Sequence, residues 1–427
     1  MLRRLDLSAR ADIPALPRAA HDVDRALDAA RALVDAVRTD GAEALVAQAV
    51  RFDRVRPPAL RVPQAALDAA LEALDPRVRD ALETAIGRVR LATAAQVPPP
   101  ASTMLAAGAV VEQRWVPVAR AGVYVPGGKA VYPSSVVMNV VAAQVAGVER
   151  IVLATPPQAD HGGLPHPTIL AAAAMLGVDE VLAAGGAGAI AALAYGVPGV
   201  VDAVDVVTGP GNVFVAAAKR VVGGHVRVDS EAGPTEILVI ADATADADLV
   251  AADLVSQAEH DELAAAVLVT DSPALADAVD AALAMRVAAT PHAERVRTSL
   301  GAEQSATILV ADLEQAIAVS DAYAPEHLEI VTADDDAVVA RIRNAGAIFV
   351  GPATPVSLGD YAAGSNHVLP TGGQAARVSG LGAATFLRPQ QVVRYDLEGL
   401  RGVADAVVAL AESEDLPAHA EAIRARL

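Results

Sequence analysis

The sequence predicts an α/β protein with two tandem Rossmann-like parallel-sheet domains and small N- and C-terminal helical elements. Short β-rich runs that end on Gly or Pro alternate with helical stretches between about residues 120 and 234. A second alternation begins at TEILVIAD and continues through AAVLVTD, SATILVAD, HLEIVTAD and AGAIFVG. Strands that alternate with helices are typical of a parallel sheet covered by helices on both faces. The 427 residues, 53% of them hydrophobic, suffice for two or three domains with large cores.

The first hundred residues are expected to be helical. Apolar positions recur three and four residues apart between Val23 and Asp53, and this pattern stops at Pro57 and Pro58. A second helical stretch runs from about Pro63 to Ala95 and ends before three consecutive prolines. These stretches precede the first strand-helix alternation, so we expect them to form the helical part of a domain.

The patterns predict four units along the chain. A Gly-rich polar segment at 359–382 is expected to be a long functional loop. The tail after Tyr395 is expected to form two helices. The predicted units are a small N-terminal element at 1–20; a first α/β domain at 21–123 plus 235–376; a second α/β domain at 124–234; and a C-terminal element at 377–427.

Charge and composition exclude several classes of protein. The net charge of -19 argues against a nucleic-acid partner, which requires clustered Lys and Arg, and mainly promotes solubility. The chain has no cysteine, so any transition-metal site must use nitrogen and oxygen ligands, for which 9 histidines are available. The uncharged stretch 181–201 contains too many glycines for a membrane span, and the N-terminus has no apolar signal region. We therefore expect a cytoplasmic protein without a membrane partner.

Four short segments contain candidate functional residues. Gln257 and His260 in SQAEH are three residues apart in a helical stretch, which would place them on one helix face. Glu326 and His327 in YAPEHLEI combine a carboxylate with an imidazole that titrates near neutral pH, a pairing suited to proton transfer. The remaining candidates are Asp360 and His367 in the Gly-rich loop and Glu414 and His419 near the C-terminus. Taken singly, each of these has a commoner interpretation as an ordinary polar residue.

Together, separated segments of the chain resemble the motifs of the histidinol dehydrogenase family in that family's order. The resemblance covers nearly the whole chain, and coincidental matching of seven motifs is not a serious alternative. The segments are YVPGGKAVYPSSVVMNVVAAQVAGV, GPGN followed by AAAKR, AGPTEILVIAD, SQAEH, YAPEHLEI, GDYAAGSNHVLPT and LPAHA.

The resemblance implies a role for each candidate. It implies one Zn²⁺ per subunit, NAD as cofactor, and Glu326 and His327 as the catalytic proton-transfer pair. The implied zinc ligands are Gln257, His260, Asp360 and His419. The implied substrate contacts are Thr235, Gln257, His260, His327, Asp360, His367, Glu414 and His419. The implied NAD contacts are Tyr124, Gly188 and Asn212.

The implied reaction is the four-electron oxidation of L-histidinol to L-histidine through histidinaldehyde, in the last steps of histidine biosynthesis. His327 would take the hydroxyl proton and Glu326 would activate water for the aldehyde step. Retaining both steps in one site protects a reactive aldehyde. The resemblance also implies a homodimer in which the C-terminal element crosses to the neighbouring subunit.

One position departs from the family pattern. Gly188 lies where the family usually has a glutamine that contacts NAD. The change creates a G-x-G-x-x-A string from Gly186 to Ala191, but Asp202 and Asp205 follow too early for the dinucleotide-binding fingerprint. We interpret the string as coincidental, and the departure concerns cofactor binding and not the fold.

Two alternative functions remain open. A dehydrogenase on the same scaffold that oxidises another polar alcohol would share the zinc and proton-transfer residues. A non-catalytic zinc-binding relative is the second alternative, and the presence of both Glu326 and His327 argues against it.

Overall fold

Two parallel sheets and a smaller antiparallel sheet organise the chain. The computed structural model describes residues 2–10, 12–19, 23–127, 131–231 and 233–427. Its strands are β1 (Arg3–Asp6), β2 (Ala101–Ala106), β3 (Ala109–Pro117), β4 (Arg120–Tyr124), β5 (Arg150–Thr155), β6 (Glu180–Ala183), β7 (Val206–Thr208), β8 (Arg227–Val228), β9 (Glu236–Ala241), β10 (Ala265–Thr270), β11 (Ala306–Leu309), β12 (His327–Val331), β13 (Ala347–Val350) and β14 (Leu387–Tyr395).

The helices between these strands are short to medium in length. They are α1 (Val23–Asp40), α2 (Ala42–Gln48), α3 (Gln64–Glu72), α4 (Pro76–Ala94), α5 (Pro133–Ala146), α6 (Pro167–Met175), α7 (Gly186–Tyr195), α8 (Val213–Val222), α9 (Ala247–Ala258), α10 (Pro273–Ala289), α11 (Ala293–Gly301), α12 (Leu313–Tyr323), α13 (Asp335–Val339), α14 (Val356–Tyr361), α15 (Leu397–Ser413) and α16 (Pro417–Arg424). None of these helices, within the described ranges, is both long and apolar enough to cross a membrane.

The larger sheet has six strands in the order β1-β11-β10-β9-β12-β13, all paired in parallel. The central strands β9 and β10, EILVIA and AAVLVT, are buried at every residue. Nearly continuous apolar runs of this kind are typical of parallel strands with helices on both faces. Strand β1 belongs to the segment 1–20, which was expected to be a separate element and instead supplies an edge strand of this sheet.

The smaller parallel sheet has the strand order β6-β5-β4-β7-β8. The chain proceeds outward from β4 through β5 to β6 and then returns to the other side of β4 for β7. This reversal makes the carboxyl ends of β4 and β7 a topological switch point, where ligands bind in open α/β sheets. The two parallel sheets confirm the predicted fold class.

The N-terminal helices pack on the helices that flank the five-stranded sheet, which differs from the expected grouping of 21–123 with 235–376. Helix α1 packs against α7 and α8, α3 against α6, and α4 against α5. Their apolar side chains Val34 and Val89 lie in the cores around that sheet. The apolar period of a helix shows that one face is buried but does not show which sheet it is buried against.

A three-stranded antiparallel sheet, β14-β3-β2, was not predicted. Strand β14 pairs with β3 along its whole length, from Leu387 opposite Pro117 to Tyr395 opposite Ala109. Helices α15 and α16 follow β14, as expected for the tail. Large apolar side chains of this region are exposed in the single chain: Met104 is 76% exposed, Leu410 64% and Val393 63%.

A pair of buried carboxyl groups connects the helix that ends in SQAEH to the strand that begins at His327. Asp253 on α9 and Glu329 on β12 are 8% and 2% exposed, and their side chains share a hydrogen bond. Burial, reinforced by the negative charge of Asp253, raises the pKa of Glu329 to about 9. At neutral pH Glu329 is therefore protonated and donates to Asp253.

We expect the substitution Glu329→Gln to change how stability depends on pH. The folded-state pKa of Glu329, about 9, exceeds its ordinary value of 4.5, so the wild type loses stability as the pH rises between these values. The neutral amide avoids that loss and can still donate to Asp253. Urea unfolding at pH 5, 7 and 9 gives the free energy of unfolding of both proteins. The value for the variant minus that for the wild type should increase by at least about 1.4 kcal/mol from pH 5 to pH 9. The exposed control Glu294→Gln should show no such trend. If the difference between Glu329→Gln and the wild type does not change with pH, the raised pKa of Glu329 is contradicted.

Candidate active site

Glu326 and His327 are both held by the backbone of one residue of the neighbouring strand, Glu236. Strand β12 pairs in parallel with β9, His327 opposite Ile237, so the residues before β9 meet the start of β12. Glu326 Oε2 accepts hydrogen bonds from Thr235 Oγ1 at 2.6 Å and from the Glu236 N–H at 2.9 Å. His327 Nδ1 lies 3.0 Å from the Glu236 carbonyl oxygen. The backbone of Glu236 therefore orients both members of the pair.

The environment prepares both side chains to act as bases. A carbonyl oxygen only accepts, so His327 Nδ1 carries the ring proton and Nε2 presents a free lone pair. Burial lowers the pKa of His327, which keeps the imidazole neutral. Burial raises the pKa of Glu326 to about 8, and the hydrogen bonds from Thr235 and Glu236 partly oppose that rise. Glu326 is therefore only partly ionised at pH 7.

Behind this pair lies an ion pair that the sequence did not reveal. The Glu236 side chain is 4% exposed and forms a salt bridge with Arg18. The Arg18 guanidinium also stacks on the Tyr323 ring, 3.8 Å from its centroid. Arg18 lies in an irregular N-terminal segment, where a lone arginine carries no sequence signal of a role more than two hundred residues away.

Three of the four expected metal ligands come from adjoining elements of one chain. Helix α9 ends at Ala258, so Gln257 lies in its last turn and His260 lies in the turn beyond it, not on the helix face that was expected. His260 Nε2 is 3.7 Å from Asp360 Oδ2, and Asp360 lies on α14. Gln257 Nε2 donates to Thr235 Oγ1 at 2.8 Å, which leaves Gln257 Oε1 as a possible ligand.

The nitrogen and oxygen donors of Gln257, His260 and Asp360 are of the type that zinc binds, and the distance between His260 and Asp360 suits two ligands of one zinc ion. Two ligand atoms about 2.0–2.2 Å from Zn²⁺ at a tetrahedral angle lie roughly 3.4 Å apart, close to the observed His260–Asp360 separation. The interaction with the nearby Asp360 carboxylate raises the pKa of His260. The described part of the chain contains no cluster of three His, Cys, Asp or Glu side chains arranged for a metal.

The structure does not bring Glu414 and His419 to this site. Both side chains are exposed, Glu414 at the end of α15 and His419 on α16, and these two helices pack against each other. Among the described residues, no hydrogen bond or ion pair joins either side chain to His260 or Asp360.

His367 joins the two parallel-sheet domains. Its Nδ1 donates to the Asp360 carbonyl oxygen at 2.9 Å, and its Nε2 is 3.0 Å from Ser135 Oγ on α5. The first bond places the ring proton on Nδ1, so Nε2 accepts from the Ser135 hydroxyl. Ser135 is buried and was not among the predicted residues. Because α5 follows β4, this contact places the amino ends of β9 and β12 near the carboxyl end of β4.

The expected NAD contacts lie around the switch point. Tyr124 ends β4, and its buried hydroxyl accepts from the Gly186 N–H at 3.1 Å. Asn212 precedes α8 and caps it, accepting from the backbone N–H groups of residues 214 and 215. Both residues therefore border the carboxyl ends of the adjacent strands β4 and β7.

Gly188 is buried in the first turn of α7 beneath Gln48. A Cβ atom built at Gly188 would lie 2.4 Å from Gln48 Oε1 and 3.3 Å from Leu45 Cδ2. The Gln48 amide also donates to the Leu33 carbonyl oxygen at 3.0 Å. The space that a longer side chain at 188 would need is thus filled by the flexible end of Gln48.

Comparison with known proteins shows where the chain belongs. The family model described as histidinol dehydrogenase matches residues 16–427. The histidinol dehydrogenase of Leifsonia xyli subsp. xyli is 64% identical over 96% of this chain and 94% of its own length. That of Nocardia farcinica is 59% identical over 100% of this chain and 98% of its own. The chain belongs to the histidinol dehydrogenase family.

A solved structure supports the same assignment. The histidinol dehydrogenase of Elizabethkingia anophelis superimposes with a TM-score of 0.92 at 29% identity, covering 100% of this chain and 98% of the other. The family resemblance of the sequence motifs is thereby confirmed. Members of a dehydrogenase family are oxidoreductases, and that is the class of this chain.

We expect Thr235→Val to move the pH dependence of catalysis by this histidinol dehydrogenase family member. The substitution removes one of the two donors to Glu326 Oε2, so the pKa of Glu326 should rise above about 8. A hydrogen bond to a charged group contributes about 1.5–3 kcal/mol, equivalent to a rise of about one unit or more. The acid limb of the kcat/KM profile should shift upward accordingly. Thr235→Ser retains the hydroxyl and should keep the native profile; equal shifts in both variants would contradict the role of this bond.

Proposed function

We propose that the chain is a zinc-dependent, NAD-linked enzyme that oxidises L-histidinol to L-histidine through histidinaldehyde. One observation carries this proposal: a neutral His327 with a free Nε2 lies beside a partly ionised Glu326, near the His260–Asp360 pair. Two bases beside nitrogen and oxygen metal donors suit an oxidation that includes the addition of water. The names of the relatives supply the substrate. The reaction would complete histidine biosynthesis.

The metal site would combine residues of two chains. Gln257 Oε1, His260 and Asp360 would hold Zn²⁺, with His419 supplied by a second copy. The zinc ion, when bound, would orient the imidazole and amine of histidinol and polarise the reacting oxygen. By family resemblance, Thr235, His327, His367 and Glu414 would also contact the substrate.

The cofactor site would be the crevice at the switch point. Tyr124 and Asn212 border it, and α7, which contains Gly188, begins at its edge. Bound there, NAD would accept the hydride of each half-reaction. Because Gln48 fills the space over Gly188, the contact made by the usual glutamine is replaced at this position by packing between α2 and α7.

The first half-reaction would be an alcohol oxidation. His327 Nε2 takes the proton from the substrate hydroxyl, and the carbon loses a hydride with its electron pair. The carbon–oxygen bond becomes a double bond, giving histidinaldehyde. The Nδ1–H bond to the Glu236 carbonyl leaves Nε2 as the basic nitrogen before the transfer and can remain in the imidazolium that forms.

The second half-reaction would begin with water. Glu326 takes a proton from the water molecule as its oxygen bonds to the aldehyde carbon, and the protonated His327 returns its proton to the carbonyl oxygen, which gives the hydrate. His327, neutral again, then takes a hydroxyl proton from the hydrate as a second hydride leaves. The carboxylic acid formed loses its proton to give the carboxylate. The balance is one alcohol, one water and two oxidised dinucleotides giving one carboxylate, two reduced dinucleotides and three protons.

A homodimer would complete the site. The apolar side chains exposed on β2, β14 and α15 provide a surface that a second copy can cover. Exchange of an identical element between two protomers completes both sites at low cost. We further propose a cytoplasmic enzyme that binds neither nucleic acid nor membrane, consistent with the net charge of -19.

Glu326→Gln should impair aldehyde oxidation more than alcohol oxidation. Only the second half-reaction requires water activation, and removal of a positioned general base typically costs about 10²–10⁴ in rate. Reduction of NAD can be followed separately with histidinol and with added histidinaldehyde. The exposed Glu294→Gln variant should match the wild type with both substrates. Equal losses in the two assays would refute the division of roles, and inactivity of the wild type toward histidinol would favour another polar alcohol.

Mixed dimers should show whether His419 acts in the partner's site. We expect His327→Asn and His419→Asn to be inactive alone but to regain about a quarter of wild-type activity when refolded together. Half of the dimers would be mixed, and each would contain one intact site. The control pair His327→Asn with His260→Asn should stay inactive, because both residues belong to the same chain's site. If the first pair also stays inactive, with mixed dimers demonstrated, His419 does not act across the dimer.

A further inference from the structure

A fully buried lysine lies beneath the loop that borders the switch point. Lys219 on α8 is 2% exposed, and its Nζ forms a salt bridge with Asp229. Both partners are shielded from water, since the Asp229 side chain is only 6% exposed. Removal of two charges from water is costly unless they also satisfy other polar groups.

The polar group that this ion pair satisfies is the backbone of one residue, Gly209. Lys219 Nζ donates to the Gly209 carbonyl oxygen, and Asp229 Oδ2 accepts from the Gly209 N–H at 2.8 Å. Both hydrogen-bonding groups of Gly209 are therefore bound by the two side chains. The pair holds the residue that follows β7 directly.

Position 209 accepts only glycine, because of its backbone conformation and its close contact with β4. Its φ is +113°, and a Cβ atom there would lie 1.9 Å from the Tyr124 carbonyl oxygen. The peptide at Gly209 thus packs against the last residue of β4. Three residues later Asn212 caps α8, so the conformation at Gly209 sets the course of 209–212 along the crevice.

We propose that Lys219 and Asp229 are positioning residues for dinucleotide binding, which hold the 209–212 loop in the shape that receives the cofactor. The inference rests on the proposed use of NAD at the switch point. Lys219 acts through the loop and not by contact, because its ammonium is turned inward to Asp229 and Gly209. Its removal should therefore weaken NAD binding without changing how binding depends on salt concentration.

The test replaces Lys219 with methionine, which has a similar length and no donor. In Lys219→Met we expect the Kd for NAD, measured by calorimetry, to rise at least about tenfold. The kcat at saturating NAD should change less than about threefold, because the catalytic pair lies on the other sheet. Amide hydrogen exchange should accelerate in peptides covering 206–213 and stay native in peptides covering β5.

Two further variants separate positioning from general stability. Lys219→Met leaves a buried carboxylate without its counter-charge, so Lys219→Met/Asp229→Asn should recover the Tm while NAD binding stays weak. The matched control is Arg220→Met, which removes the neighbouring, partly exposed cation that pairs with Glu231 and should leave the Kd unchanged.

The results that overturn the proposal are specific. A folded Lys219→Met, or the double variant if the single one does not fold, that binds NAD within twofold of the wild type refutes it. Native amide exchange of 206–213 in the same variant would show that the Lys219–Asp229 pair does not hold the loop. If the wild type fails to bind NAD, the proposed cofactor is wrong, and the exchange measurement still decides whether the loop depends on Lys219.

Discussion

The parallel pairing of β9 with β12 determines the arrangement of the site. With His327 opposite Ile237, the Glu236 N–H donates to Glu326 and the Glu236 carbonyl accepts from His327. The backbone of one strand residue thereby fixes the position of the carboxylate and the tautomer of the imidazole. A shift of this register by one residue would reverse the faces of the strand and separate all of these groups. The Asp253–Glu329 hydrogen bond reinforces the same arrangement by holding α9 on β12.

The second constraint is the way in which the two parallel sheets meet. Catalytic candidates lie at the amino ends of β9 and β12, whereas the proposed dinucleotide site lies at the carboxyl end of β4. The His367–Ser135 contact crosses between them and joins the side of the larger sheet that carries the proton-transfer groups to the side of the smaller sheet that carries the proposed crevice. An ion pair lies on each side of this junction: Arg18–Glu236 beside the catalytic candidates and Lys219–Asp229 beside the loop that follows β7.

Much of this arrangement was predictable from the sequence, and the failures have physical causes. The β-rich runs identified both sheets, and the family motifs identified the residues that cluster around Glu326. The helical period could not show that α1 packs on α7 and α8 beside the five-stranded sheet, because one buried face looks the same against either domain. His260 was placed on a helix that in fact ends at Ala258, since helix ends are the least regular part of such a pattern. Arg18 acts through a distant pairing that no local pattern records.

In the proposed reaction, one site with one pair of bases carries out two successive oxidations. The most direct test is the yield of NADH per histidinol consumed, with free aldehyde trapped and counted at the same time. Four electrons leave as two hydrides, so we expect two NADH per histidinol and no aldehyde in the trap. One NADH per histidinol, with an equivalent of aldehyde released, would contradict it.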